Sequence, residues 1–246
     1  MDKKRNSVEF KITGRYAMFA DPVTRVGGEK FSYQIPTYQA LKGILESVYW
    51  KPTFIWHIDA VRVMKKIQTE SKGIKPIKMS GGNDLSYYTY LRDVEYQILA
   101  HFEWNDHREN LDDDRNEHKH HNIARRSIQK GGRRDVFLGA RECQGYVEPC
   151  AFGEEGKGFY DKYGELDFGV MFHGYDYPDE TGKDELAVRL WRPKMIDGII
   201  EFLMPKNCDP SMRRFIRKMS AKKFEEGRNF LSIDDDSSVV DLLEEE

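Results

Sequence analysis

The residues best equipped for chemistry lie together between Arg115 and Glu142, in the run RNEHKHHNIARRSIQKGGRRDVFLGARE. Eight Lys and Arg (Arg115, Lys119, Arg125, Arg126, Lys130, Arg133, Arg134, Arg141) face three acids there (Glu117, Asp135, Glu142). The surplus of five positive charges sits in a chain whose formal net charge is −3, so the rest of the molecule is acidic. A cationic patch of this kind attracts a polyanion locally, whatever the overall charge. His118, His120 and His121 lie in the same run beside Lys119. Imidazoles exchange protons near neutral pH, and an ammonium can steady a phosphate oxyanion. Phosphate affinity and proton transfer therefore coincide, although a solvated helix with a basic face has the same composition.

These residues need a scaffold, and 246 residues are enough to bury a substantial core in one large domain or two small ones. With 39% hydrophobic and 33% charged residues the composition is that of a soluble globular protein. No apolar run approaches the ~20 residues of a membrane span. The opening MDKKRNSVEFKI has no apolar h-region, so neither a secretory signal nor a membrane partner is expected. Cys143, Cys150 and Cys208 form no CxxC pair, which disfavours a disulfide framework or zinc ribbon and fits a reducing cytoplasm. Thirteen Tyr, fourteen Phe and four Trp suit both a core and base stacking, so composition does not separate the two uses.

Val8 to Ile12 alternates apolar and charged residues as a half-buried strand does. Thr37 is placed to cap a helix whose Leu41, Ile44, Leu45 and Val48 share one face, with Pro52 closing the element. Tyr49 lies beside that stripe, its ring able to pack and its hydroxyl able to reach out. Residues 53–67 are β-branched and aromatic, as in a strand, whereas Ser71 to Asn83 reads as an irregular loop. Val94 to Trp104 alternates cleanly, and His101 on its polar face is expected at the surface. Asp106 to Asp114 reads as an acidic linker into a helix stopped by Gly131 and Gly132, with Val136 to Leu138 a short buried strand after it. Strand, helix, strand, strand, helix, strand is the order of a ferredoxin-like α+β unit. We therefore expect a ferredoxin-like domain over residues 1–145, a small antiparallel β-sheet domain over 146–205, and a partly mobile extension over 206–246. In the second region, strands at 166–175, 185–192 and 198–204 predict a meander, and the chain ends in an acidic tail.

Three chemistries compete. In a metal-independent ribonuclease, a 2′-hydroxyl attacks phosphorus while His, Tyr and Lys move protons and offset charge, each acid–base group contributing ~10²–10⁴-fold. A divalent-metal nuclease would recruit Asp106, His107, Asp112, Asp113 and Asp114. A non-enzymatic module would use its sheet and basic helix only to hold RNA. Walker A, GxGxxG, GxSxG and HExxH patterns do not occur, which disfavours nucleotide, dinucleotide, acyl-transfer and zincin functions.

The stretches PTYQALKGILESVYWKP, RNEHKHHNIARRSIQKGGRRDVFLGARECQGYVEPC and HGYDYPDETG resemble the CRISPR-associated Cas-five family, subtype d, of type I-C systems. The resemblance runs from about residue 7 to about residue 205. It implies a RAMP-type protein with a modified RRM or ferredoxin-like domain, followed by a small β-sheet domain. The implied activity is metal-independent cleavage of CRISPR precursor RNA at the 3′ base of the repeat hairpin, leaving a 2′,3′-cyclic phosphate. It needs no cofactor. The product stays bound and the protein joins the other type I-C Cascade subunits, with duplex DNA open as a second partner. The family's Ser-x-Tyr-Trp pattern falls on Ser47-Val48-Tyr49-Trp50 and its Lys-His pair on Lys119-His120. His118 and His121 flank that pair, so residue type alone does not choose the working imidazole, and the alignment favours His120. By this resemblance His120 moves the 2′-hydroxyl or leaving-group proton, Lys119 offsets phosphorane charge, and Tyr49 positions or donates to the phosphate. Charge places Arg125, Arg126, Arg133 and Arg134 on the nucleic acid.

Overall fold

A computed structural model describes residues 4–22, 28–154 and 156–237. The elements in chain order are β1 (Val8–Ala17), β2 (Lys30–Phe31), α1 (Tyr38–Val48), β3 (Phe54–Val63), β4 (Thr69–Ile74), β5 (Ser86–Trp104), α2 (Glu117–Gln129), β6 (Val136–Phe137) and β7 (Gln144–Pro149). They continue with β8 (Glu165–Asp167), β9 (Met171–Asp176), α3 (Pro178–Thr181), β10 (Glu185–Trp191), β11 (Lys194–Ile196), β12 (Ile199–Glu201) and β13 (Arg213–Lys218). The fold is mixed α/β and dominated by antiparallel sheet. Among the described residues no helix is long and apolar enough to cross a membrane.

The large sheet runs β6-β7-β1-β5-β3-β12-β11-β8, with β2 and β4 also on β5. β1 and β3 pair antiparallel to opposite sides of β5, and β7 pairs antiparallel to β1. The helices α1 and α2 are thus the crossovers of two strand–helix–strand units. β5 changes partner along its length: Ser86 to Leu91 pairs with β4, Tyr96 to Trp104 with β3. Asp93, in the left-handed region at φ 52°, lies at the handover.

α1 forms as its pattern predicts. The Thr37 hydroxyl accepts the Ala40 N–H at 3.1 Å, and Leu41, Ile44, Leu45 and Val48 are buried. Each such side chain contributes about 1.5–3 kcal/mol when fully covered. They meet Phe10, Ile12, Phe54, Trp56, Ile98 and Phe102 of the sheet and Ile123, Ala124 and Ile128 of α2 in one core. α2 ends in a paired-bond stop: the Gly132 N–H reaches the Ser127 carbonyl at 2.7 Å and the Gly131 N–H reaches Ile128 at 3.0 Å. Both glycines have positive φ (100° and 83°), which a side chain would resist. This turn brings the Arg133 N–H to the Val48 carbonyl at 3.4 Å, beside the end of α1.

Four local expectations are corrected. Ser71 to Asn83 is not wholly irregular, because Thr69–Ile74 is a strand on the edge of β5. His101 is fully buried: its Nδ1 is 2.8 Å from Asp59 Oδ2 and its Nε2 accepts from Lys4 Nζ at 2.5 Å. Asp106 to Asp114 is not a solvated linker, since Glu109–Asp114 is a 3-10 helix with Leu111 and Asp114 buried. The strands after residue 146 do not make one meander. β9, β10 and β13 form a three-stranded sheet, while β8, β11 and β12 join the large sheet through β3. β7 straddles residue 145, and the small sheet takes β13 from beyond residue 205. The acidic end, 238–246, lies outside the described residues.

Candidate active site

Tyr49 is the residue on which α1 ends. Its backbone turns extended (φ −157°, ψ 131°), its N–H still reaches the Leu45 carbonyl, and its own carbonyl accepts from Trp56 Nε1 at 2.8 Å. The phenol is thereby aimed across the end of the core at the first turn of α2. That turn is fixed by Asn116, whose side chain accepts the Lys119 N–H at 3.1 Å. His120 follows and points inward, packing edge-on to Phe54 and Trp104.

The Tyr49 hydroxyl and His120 Nδ1 are 2.7 Å apart. His120 Nε2 lies 2.8 Å from the Asp114 backbone carbonyl, which can only accept, so Nε2 carries the hydrogen. In the neutral ring Nδ1 is then the acceptor, and Tyr49 donates to it. Asp114 Oδ2 is 3.5 Å from Nε2. The same carboxylate accepts from the Thr53 hydroxyl and from the Ile233 N–H, each at 2.5 Å. Burial alone would raise the Asp114 carboxyl, but the nearby His120 ring and the hydrogen bonds from Thr53 and Ile233 outweigh it and hold it below the usual carboxylate range. Burial, then the nearby carboxylate of Asp114, pushes the Tyr49 phenol up, with Arg133 opposing and Asp236 adding to the rise. The phenol is accordingly a proton donor at neutral pH.

The structure thus joins Tyr49 to His120, while Lys119, the residue before His120 on α2, is half-exposed with its ammonium paired to Asp234. The other imidazoles face elsewhere: Arg5 donates to His118 Nε2 at 2.6 Å, and His121 Nε2 donates to the Ser7 carbonyl at 2.9 Å. The four arginines divide. Arg133 lies 5.9 Å from the Tyr49 ring centroid and 4.0 Å from Asp236. Arg134 shares a groove of about 520 Å³ with Gly131, Gly132, Gln144 and Tyr146. Arg125 faces a different cavity of about 480 Å³ with Ser7, Glu9 and Cys150, and Arg126 is half-buried in the last turn of α2.

The Tyr49 hydroxyl does not reach out to solvent as expected: Tyr49 is 1% exposed, and His120 is 0% exposed. Residues 230–236 lie across this end of the molecule. Ile233 is buried in the common core, Lys51 donates to the Leu231 carbonyl at 2.8 Å and to Asp236 at 2.6 Å, and Phe230 packs under the Lys51 ammonium. Lys51, Thr53, Ile233, Asp234 and Asp236 were not legible as site residues, and Asp114 was singled out only as a possible metal ligand. One weak signal existed: Ile233 is an aliphatic residue set against three consecutive aspartates.

The aspartates and histidine of the metal reading are dispersed. Asp114 turns inward, Asp112 pairs with Arg115 at 2.9 Å, and His107 packs over Gly182. Among the described residues no group of three or more His, Cys, Asp or Glu is arranged to hold a metal ion. A separate buried cluster links β3, β5 and the small sheet. His57 stacks on His101, Tyr38 hydrogen-bonds to His57 Nδ1 and stacks on His173, and burial pushes His57 and His173 down to about 3.

Residues 7–203 match a family model described as CRISPR-associated protein (Cas_Cas5), of the Cas5d type. The match ends before the segment that supplies Ile233, Asp234 and Asp236. The chain is 25% identical over 229 residues to the CRISPR pre-crRNA endoribonuclease Cas5d of Thermus thermophilus, covering 89% of this chain and 93% of that protein. The protein of the same name from Mannheimia succiniciproducens is 26% identical over 226 residues, covering 80% and 94%. Among solved structures, a CRISPR-associated protein superimposes with a TM-score of 0.70 at 38% identity, covering 82% of this chain and 94% of the other. A functionally uncharacterized protein from Streptococcus mutans does so at 0.69 and 39%, covering 82% and 95%. With four-fifths of its length matched by the family model and a core that carries the matched stretches, the chain belongs to the Cas5d family of CRISPR-associated proteins.

Proposed function

We propose that this protein is a pre-crRNA endoribonuclease that cuts CRISPR repeat RNA at the 3′ base of its hairpin without a metal ion. The observation that carries the reading is the 2.7 Å hydrogen bond between Tyr49 and His120 beside Lys119, on the basic helix α2. The names of the Thermus and Mannheimia relatives support the substrate class. The strand order β7-β1-β5-β3, with α1 and α2 as crossovers, supports reading the first part as a ferredoxin-like domain.

The geometry refines the roles. Both His120 nitrogens are committed, Nε2 to Asp114 and Nδ1 to Tyr49, so the imidazole acts through the phenol. As the 2′-oxygen bonds to phosphorus, its proton passes to Tyr49 Oη while the phenol proton passes to His120 Nδ1. The P–O5′ bond breaks, and the 5′-oxygen leaves with a proton from solvent. The products are a 2′,3′-cyclic phosphate and a 5′-hydroxyl. The Asp114 carboxylate, 3.5 Å from Nε2, stabilises the imidazolium, and the Lys119 ammonium neutralises the phosphorane oxygens. Arg125, Arg126, Arg133 and Arg134 contact the RNA backbone, reading hairpin shape because the A-form major groove is closed to side chains. The product-bound protein then serves as a subunit of a type I-C Cascade complex in the cytoplasm, with duplex DNA as a second nucleic-acid partner.

A second reading, a catalytically silent RNA-binding subunit, draws on the burial of Tyr49 and His120 in the core. Incubation with repeat RNA in excess EDTA, beside an RNA with a 2′-deoxy at the scission site, separates the two. Cleavage that persists in EDTA and vanishes with the deoxy substrate is expected. Tight binding of both RNAs without cleavage would favour the silent subunit, and loss of cleavage in EDTA would return the metal nuclease.

A further inference from the structure

We propose that Lys51, Lys119 and Arg133 form a subsite for RNA backbone phosphates, which the chain's own Asp234 and Asp236 occupy until RNA displaces them. The proposal rests on the RNA-processing reading above and adds to it a ligand site and a competitor for that site.

The three cations come from separate places in the sequence: just after α1, in the first turn of α2, and just after the glycine stop. They converge on one short stretch of chain. Lys119 pairs with Asp234; Lys51 pairs with Asp236 at 2.6 Å; Arg133 approaches the same Asp236 carboxylate at 4.0 Å. Lys51 is the informative member, because at 5% exposure its ammonium is out of bulk water. A buried ammonium is costly unless an anion meets it, so whatever covers this position, the chain's own segment or an RNA strand, must bring an anion to it. Carboxylate and phosphodiester oxygens satisfy ammonium and guanidinium donors in the same way, through short charge-assisted hydrogen bonds.

The aspartates that meet this demand lie beyond residue 203, where the family match ends. The stretch is anchored at separate points with exposed side chains between them. Ile233 is buried, its N–H held by Asp114, and Phe230 packs against Lys51. Leu231 is 46% exposed and the Asp234 side chain 65% exposed. Opening the segment would give up these contacts, so it needs an incoming anion to replace the aspartates on the three cations. Its position matters because Asp114, which holds the Ile233 N–H, also faces His120. Lifting residues 230–236 would release the Asp114 carboxylate beside His120 from the Ile233 N–H and leave three cations to receive the backbone of an incoming strand. One movement would thus vacate the phosphate subsite and free a carboxylate at the reacting pair.

The test uses the full-length protein and a repeat-hairpin RNA made non-cleavable by 2′-deoxy nucleotides flanking the scission site, so it does not depend on cleavage. In the wild type, hydrogen exchange over residues 230–237 should accelerate when this RNA binds. In D234N/D236N, RNA should bind roughly tenfold tighter, because an occupant of the binding-competent state has been weakened. Within that background, Lys51→Gln should weaken binding and flatten its salt dependence by about 0.7–0.9 of a slope unit, the share of one phosphate contact. Unchanged or slower exchange over 230–237 in the RNA complex would overturn the proposal without any variant having to fold. So would equal RNA affinity in wild type and a D234N/D236N protein of unchanged melting temperature. If the predicted binding shifts appear but uncapped 2′-hydroxyl RNA is never cut, the subsite stands and the endonuclease reading falls. If cleavage is normal and the shifts are absent, the reverse holds.

Discussion

Asp114 is where stability and chemistry are most tightly joined, and its replacement is a quantitative test of the network. The carboxylate is buried and accepts two hydrogen bonds, from the Thr53 hydroxyl and the Ile233 N–H, while lying 3.5 Å from His120 Nε2. Asp114→Ala removes both acceptors and leaves a buried hydroxyl and a buried amide without them. At about 1.5–3 kcal/mol for each hydrogen bond to a charged group, the loss should be about 3–6 kcal/mol. Asp114→Asn differs in a predictable way. Its amide oxygen can keep the Ile233 N–H, its NH2 can donate to Thr53 if the hydroxyl turns, and only the charge is lost. That variant should lose about 1–2 kcal/mol. Because the Asp114 carboxyl is held below its unfolded value, its stabilisation is present above about pH 4 and disappears as the pH falls through the folded value. Asp114→Asn should therefore be less sensitive to acid than the wild type in that window. Urea unfolding at pH 7 and at pH 3–5 measures both effects. An Asp114→Ala protein within 0.5 kcal/mol of wild type (roughly the range of a neutral surface change) would refute the hydrogen-bond network.

The remaining predictions concern the flanking groups. His120→Ala should reduce single-turnover cleavage by about 10²–10⁴-fold, while His118→Ala, whose ring faces Arg5, should leave it nearly unchanged; the opposite ranking would reassign the imidazole. Replacing Arg125, Arg126 or Arg134 by Gln should weaken RNA binding and flatten its salt dependence by about one slope unit for each true phosphate contact, and an unchanged slope would remove that arginine from the interface. Burial, and then Arg189, pushes His173 down to about 3. The unfolded ring takes up its proton near pH 6.5, so the unfolded state gains protons first as pH falls and stability drops between about 6.5 and 3. By pH 5 the share of the drop due to His173 should be about 2 kcal/mol relative to pH 7.5, worth about 4–8 °C in melting temperature, with the similarly depressed His57 adding its own share. His173→Phe should flatten that slope, and an equally steep slope would locate the proton uptake elsewhere.

Features set by near neighbours in the chain were legible. Thr37, Leu41, Ile44, Leu45 and Val48 specify α1 within two turns, and Gly131 and Gly132 specify the end of α2. Features set by distant partners were not. His101 alternates as a surface residue would, yet Lys4, from the segment before β1, and Asp59, from β3, close over it. TESKGI lacks an apolar face because β4 lies at the edge of β5, with alternate residues in solvent, so hydrophobic period could not reveal it. The pairing of Tyr49 with His120 spans 71 residues. Only the family resemblance singled out Tyr49, since its spacing beside the α1 stripe described a core tyrosine equally well. Asp114 looked solvated among other acids because its partners, Thr53 and Ile233, lie 61 and 119 residues away.

Tyr49→Phe is the most direct measurement, because it removes one oxygen from the hydrogen bond on which the whole reading depends and keeps the packed ring. Single-turnover cleavage of repeat RNA in EDTA should fall at least about 100-fold, with RNA affinity retained and the small amount of product still ending in a cyclic phosphate. Cleavage by Tyr49→Phe at the wild-type rate would contradict the account.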